Sequence, residues 1–191
     1  MGGKALRAHS DARGSRVKIV PASLEGVFFI DREPVADARG SFVRLFDGDE
    51  FGKLELATRF DQTSISHSLR RGTLRGMHYQ EDPHGETKLV TCVRGRGFDV
   101  VVDVRPESRT RWRWLGQEIS ASGTRAIYVP PGFAHGFLST EDDTAVLYQI
   151  AGEYVPSAAR GLRWDDPRLA IAWPAPPAII SARDRQWALL P

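Results

Sequence analysis

Apolar residues recur at two-residue spacing through the middle of the chain, in short runs that break at Gly, Pro, Asp and Ser. Strict alternation is the mark of a strand with one buried face. Phe60–Ser68 alternates around Ser64-Ile65-Ser66, Lys88–Val93 is a β-branched run, and Phe98, Val100 and Val102 alternate with Asp99, Val101 and Asp103. Gln117–Ser120, Arg125–Val129 and Thr144–Ala151 read the same way, and Arg111–Leu115 alternates Arg and Trp as an exposed strand would. Arg94-Gly95-Arg96-Gly97 has the form of a hairpin turn, and Pro130-Pro131-Gly132 turns the chain into a Gly-bracketed turn at Phe133–Phe137. Upstream, Val17–Val20 and Val27–Ile30 predict strand, Asp31–Ser41 a loop, and Asp47–Leu56 a short helix with Asp at its start.

Phe60–Ala151 thus predicts about eight short strands separated by frequent turns, the pattern of a β-sandwich or jelly-roll barrel. The tail from Pro156 is Pro-rich and carries Trp164, Trp173 and Trp187. It is expected to wrap the barrel through short helical turns such as Ser181–Leu189. No glycine-rich nucleotide fingerprint, Walker loop, internal repeat or low-complexity segment interrupts the series.

Composition narrows the class further. The 191 residues suffice for one domain with its own core, and the net charge of +2 gives no global pull toward nucleic acid or membrane. The single cysteine, Cys92, excludes an internal disulfide framework and fits a reducing, cytoplasmic setting. No apolar run is long enough to span a bilayer. Residues 1–16 are basic and Gly-rich without an apolar segment, so they read as a flexible N-terminal arm rather than a secretory signal, and residues 17–191 as a single domain.

The chemistry centres on Arg71–Gln80, where two glycines, two arginines and His78 sit among apolar residues. Alternation puts Leu74, Gly76, His78 and Gln80 on one face and Arg75, Met77 and Tyr79 on the other. Lys88, His135, Tyr148 and Asp184 stand at other suggestive places, and Arg39 lies on a Gly-flanked turn. Each has an ordinary alternative: a satisfied strand histidine, a solvated lysine or loop arginine, a core tyrosine, a helix-start aspartate. Gln80 occupies the place where a second histidine would complete an HxH metal pair, and His84 lies in a loop. Two well-placed histidines are too few for a metal site, so metal-free acid–base chemistry is the better use of His78.

The stretch Gly72–Gln80 resembles the hallmark of the dTDP-4-dehydrorhamnose 3,5-epimerase (RmlC-like) family. The resemblance continues in order through Lys88–Val90, Phe98–Arg105, Pro131–Phe137, Trp164–Pro167 and Ser181–Asp184, covering Val17 to the C-terminus. It implies an all-β, cupin-type jelly-roll barrel with short peripheral helices, a homodimer, no cofactor and no catalytic metal. The implied reaction is epimerisation of a nucleotide-linked 4-keto-6-deoxyhexose at C3, or at C3 and C5, on a dTDP-linked substrate. By the same resemblance His78 is the base, Asp184 the carboxylate that orients it, Tyr148 the acid on the opposite face of the sugar, and Lys88 the residue at the ketone oxygen. Arg39 and Arg75 fall around the diphosphate and sugar, and His135, Gln62 and Gln80 complete the substrate-binding set.

Gln149 and Arg44 depart from the commoner Lys and Glu at their places, and Ser66–Arg71 is one residue longer than usual. These changes leave open the sugar and the number of centres inverted. Two other readings remain at this point: a metal-dependent cupin oxygenase or isomerase using His78 and His135, and a non-catalytic barrel that binds sugar nucleotides. Nucleic-acid binding through Arg70, Arg71 and Arg111–Trp114 is disfavoured by the near-neutral charge.

Overall fold

β-Branched and aromatic side chains at alternate positions pack well on a pleated surface, and they commit most of this chain to strands. The computed structural model describes residues 16–191. Its strands are Arg16–Pro21 (β1), Phe28–Glu33 (β2), Val35–Asp37 (β3), Gly40–Phe42 (β4), Gln62–Ser68 (β5), Thr73–Gln80 (β6) and Thr87–Arg94 (β7). Arg96–Asp103 (β8), Trp114–Ser120 (β9), Arg125–Val129 (β10), Phe133–Ser139 (β11) and Thr144–Ala151 (β12) follow, then Ala159–Gly161 (β13) and Ile179–Ile180 (β14). The helices are short, Gly48–Gly52 (α1) and Ala182–Arg185 (α2), with a single-turn 3-10 helix at Pro156–Ala158. The expected arm over residues 1–16 lies outside the described residues except for Arg16, which opens β1.

One six-stranded sheet runs β1-β2-β10-β7-β12-β5; the other runs β13-β6-β11-β8-β9, with β14 parallel to β6. From β5 to β8 and from β9 to β12 successive strands alternate between the sheets, as in a jelly roll, and the all-β barrel read from the sequence is the fold observed. Val90 and Cys92 from the first sheet meet Val101, Phe133 and Phe137 from the second, with Ile127 and Val146 completing the interior. Burying each such side chain is worth about 1.5–3 kcal/mol, so this interior fixes the register of both sheets. The outer faces carry their own cover. Leu89, Ile30 and Tyr128 pack under Phe51 of α1, and Met77, Val100 and Val102 pack under Leu162 and Leu169 of the tail.

Five sequence expectations give way. Asp31–Ser41 is not a loop: β2 runs to Glu33, and Val35–Phe42 forms the β3–β4 hairpin around Gly40 at φ +126°. The expected hairpin at Arg94–Gly97 is a crossing between sheets, because β7 and β8 flank Gly95 yet belong to different ones. Arg111–Arg113 turns rather than extends, with Trp112 at φ +67° and its ring packed against the outer cluster under the tail. Phe133–Phe137 is strand, not turn, since Phe133 and Phe137 bury in the interior and fix alternation through His135 between them. The first helix is also shorter than Asp47–Leu56: Asp47 caps it by accepting from the Asp49 and Glu50 amides, and it ends at Gly52.

Candidate active site

At one end of the barrel the interior changes from apolar to polar. On β7 the inward series Cys92, Val90 continues to Lys88; on β12 Val146 is followed by Tyr148, and on β11 Phe137 by His135. The result is a cavity of about 340 Å³ into which Lys88, Tyr148, His135, His78 and Arg75 all project. Lys88 and Tyr148 come from one sheet and the other three from the opposite sheet.

Arg75 and His78 share this cavity although strict alternation places them on opposite faces. The reason is a bulge. Phe137 faces Arg75 and His135 faces His78, so β6 advances three residues where β11 advances two. The extra residue falls at Gly76–Met77, with Gly76 at φ +138°. A Cβ on Gly76 would sit 2.4 Å from the Gly136 Cα, so two glycines meet where the strands touch. Met77 turns outward into the cluster under the tail, and His78 turns in.

The tail brings the partner of His78. β14 pairs with Thr73–Leu74, Ser181 caps α2 by accepting from the Asp184 amide, and the Trp187 indole lies against Gly161 of β13, directly beside His78 in register. Asp184 is thereby buried against β6. Its Oδ1 is 2.6 Å from His78 Nε2, and its Oδ2 accepts the Gly76 amide at 3.4 Å. Burial presses the Asp184 carboxyl upward, but hydrogen bonds from His78, Gly76 and Ser181 and the charge of His78 outweigh it, holding the group below the usual carboxylate range. A carboxylate only accepts, so Nε2 carries a proton in either state of the ring, and in the neutral tautomer the lone pair lies on Nδ1. The His78 side chain is 40% exposed, within reach of a ligand.

A second pair lies beside the first. His135 Nε2 is 2.8 Å from Asp99 Oδ2, both residues are buried, and Asp99 Oδ1 has no hydrogen-bond partner among the described residues. The His135 ring meets the Tyr148 ring edge-on, with centroids 5.7 Å apart. Burial, and then the Asp99 charge, push the Tyr148 phenol well above its ordinary value, so it holds its proton near neutrality. Lys88 Nζ is 2.9 Å from Glu86 Oε1 and donates to the His78 carbonyl at 3.2 Å.

The remaining expected residues are placed differently. Gln80 borders the cavity but spends its amide on structure, donating to His84 O and Glu153 O and accepting from Val155 N. Gln62 lies exposed on the edge strand β5, on the face it shares with Ser64 and Ser66, which do line the cavity. Arg39 is not brought in: it sits on the β3–β4 hairpin, highly exposed and paired with Asp37. Residues the sequence reading missed include Glu86, Tyr154, Arg160 and Arg183. Arg183 adjoins Asp184, and Tyr154 follows Tyr148 where the chain leaves β12, so both were within sight of recognised positions. Arg160 pairs with Glu81, whereas Arg75 and Arg183 have no carboxylate partner among the described residues.

The profile of the family described as dTDP-4-dehydrorhamnose 3,5-epimerase matches residues 21–191. The chain belongs to that family. A dTDP-4-dehydrorhamnose 3,5-epimerase of Methanothermobacter thermautotrophicus is 41% identical over 89% of this chain and 92% of its own. A dTDP-4-dehydrorhamnose 3-epimerase of Streptomyces niveus is 38% identical over 91% and 84%. The crystal structure of the 3,5-epimerase from Bacillus anthracis, with TDP and pyrophosphate bound, superposes with a TM-score of 0.88 at 34% identity, over 92% of this chain and all of that one. Membership makes the protein an isomerase of the carbohydrate-epimerase class, as the resemblance implied. Among the described residues no helix is long and apolar enough to cross a membrane, and no three His, Cys, Asp or Glu side chains gather as metal ligands do.

Proposed function

We propose that the protein epimerises a dTDP-linked 4-keto-6-deoxyhexose next to its ketone, with His78 as base and Tyr148 as acid. The observation that carries this reading is the meeting, in one cavity, of the His78–Asp184 pair from the second sheet with the protonated Tyr148 phenol from the first. The C4 ketone acidifies the protons on C3 and C5. Nδ1 of neutral His78 takes one of them, the C–H electron pair delocalises onto the ketone oxygen as an enolate, and Asp184 stabilises the imidazolium that forms. Lys88 faces the enolate oxygen, and a preorganised donor of this kind is worth roughly 3–4 kcal/mol in the transition state. Tyr148 then delivers its proton to the carbon from the opposite face, and inversion results.

Arg75 and Arg183, the cavity arginines without carboxylate partners, suit the diphosphate, which guanidinium binds in a fork. Tyr154, half exposed at the rim, offers an aromatic face to the base. Residues 17–191 act in this reading as one domain, in a cytoplasmic homodimer. Support for the dimer comes from exposed Ile65 and Leu69 on and beside edge strand β5, and from Arg39, which stands off its own cavity. In the dimer Arg39 serves the neighbouring copy. The test is incubation with dTDP-4-keto-6-deoxyglucose in deuterated water. Deuterium at C3, or at C3 and C5, together with inverted product is the expected result; a ligand that binds without any exchange would make the barrel a non-catalytic receptor.

A further inference from the structure

Glu86 stands directly behind the lysine assigned to the ketone, and no step so far uses it. We infer that Glu86 is a positioning residue that aims Lys88 at the sugar's ketone oxygen; this deepens the epimerase reading and rests on it.

Lys88 lies on an interior strand, paired with Val129 on β10 and Ile150 on β12. Its side chain is 9% exposed, and Val90, next inward on the same face, belongs to the apolar interior. An ammonium so enclosed is costly to bury without an anion beside it. Glu86 supplies the anion at 2.9 Å and is itself nearly enclosed, with 13% of its side chain exposed. Nζ has three N–H donors. One is spent on Glu86 and one on the His78 carbonyl, which leaves the third for the cavity that Lys88 lines.

Glu86 is held in turn. Its Oε2 lies 3.5 Å from Gln80 Nε2, and the Gln80 amide is pinned to His84, Glu153 and Val155. Both amide hydrogens of Gln80 go to the His84 and Glu153 carbonyls, so Glu86 rests against this frame at the edge of hydrogen-bond distance, and its firm partner is Lys88. The pairing also divides labour among the cavity cations. Lys88 with Glu86 is close to neutral overall and has little attraction for a diphosphate already charged in the ground state. Its free N–H is best used on a charge that appears only during reaction, the enolate oxygen. Arg75 and Arg183, without carboxylates, are suited to the permanent charge. Glu86 takes no proton in this scheme: the abstracted proton stays on His78, and Lys88 keeps all of its own.

The experiment compares wild type, Glu86→Gln, Glu86→Asp, Lys88→Met and the Glu86→Gln/Lys88→Met double variant, with dTDP-4-keto-6-deoxyglucose turnover and deuterium exchange as readouts. Glu86→Gln should lower kcat by about 10²-fold and leave KM, and the affinity for dTDP alone, within about twofold. Glu86→Asp should recover about tenfold of that loss, since the charge returns on a shorter stem. The double variant should be no slower than Lys88→Met alone, because two residues acting through one group are not additive. A Glu86→Gln enzyme with kcat near wild type, or losses that multiply in the double variant, overturns the assignment. So does a parallel fall in dTDP affinity and melting temperature, which marks a purely structural role. A wild type that exchanges no deuterium brings down the epimerase reading and this inference with it; an active wild type indifferent to Glu86→Gln sinks the inference alone.

Discussion

His78 and His135 face one another across β6 and β11, and each gives a ring nitrogen to a carboxylate, at 2.6 Å and 2.8 Å. The chemical units are the same, but their surroundings are not. The His78 side chain is 40% exposed to the cavity, whereas that of His135 is 5% exposed and that of Asp99 not at all. The open pair has a lone pair that a sugar proton can reach. The sealed pair has its imidazole edge against Tyr148, whose phenol is held protonated by burial first and by the Asp99 charge second. Burial thus makes one pair a base and the other the support of an acid, and the two proton affinities are set apart on opposite sides of one cavity.

The harshest way to break this comparison is to truncate each histidine. His78→Ala removes the base and should lower deuterium exchange by about 10³–10⁴-fold; its cost in stability should be the smaller of the two, since the buried Asp184 carboxylate still accepts from the Gly76 amide and the truncated side chain opens it to the cavity. His135→Ala should do the reverse. It leaves Asp99 buried with neither oxygen bonded, because Oδ1 already lacks a partner, and breaking a buried pair costs roughly 3–5 kcal/mol. Paired denaturant melts and exchange rates read both quantities. Equal destabilisation by the two substitutions would erase the distinction.

Tyr148→Phe sharpens it at smaller cost. The ring contact with His135 survives, so stability should change little, but the proton donor is gone. Inverted product should fall by about 10²-fold while exchange, which His78 alone can sustain, falls by less than about tenfold. NMR of a single reaction separates the two. Equal losses would mean that the phenol assists proton removal rather than return.

How much of this was legible beforehand follows from where local pattern and tertiary contact agree. The strands β5 to β8, β10 and β12 were readable because apolar and β-branched runs bounded by turn residues coincide with buried strands, as at Lys88–Cys92. The face shared by Arg75 and His78 was not, because one extra residue at Gly76 flips the pleat and nothing local announces which glycine takes it. His78, Lys88, Tyr148 and Asp184 came through the ordered motifs rather than through their own spacing, since Asp184 and His78 are 106 residues apart. Glu86 gave no local signal, because its role depends on a lysine whose enclosure appears only once β7 lies between β10 and β12. Trp112 failed for the opposite reason. Its Arg-Trp alternation imitates a strand, while a positive φ and packing under the tail make it a turn.

The gentlest probe of the open pair is its dependence on pH. The Asp184 carboxyl is held below its ordinary value in the folded chain, so the unfolded chain binds its proton more readily. Its contribution to stability is therefore present above the unfolded carboxylate value and fades as pH falls through the folded one. Asp184→Asn abolishes that contribution at every pH. The variant should melt below wild type at pH 7, and the gap should narrow steadily as acid protonates the wild-type carboxylate. Melts taken from pH 7 to pH 3 decide it. A gap constant across that range would mean that the amide fails for steric reasons alone, and that the charge on Asp184 serves the imidazolium during catalysis without stabilising the resting fold.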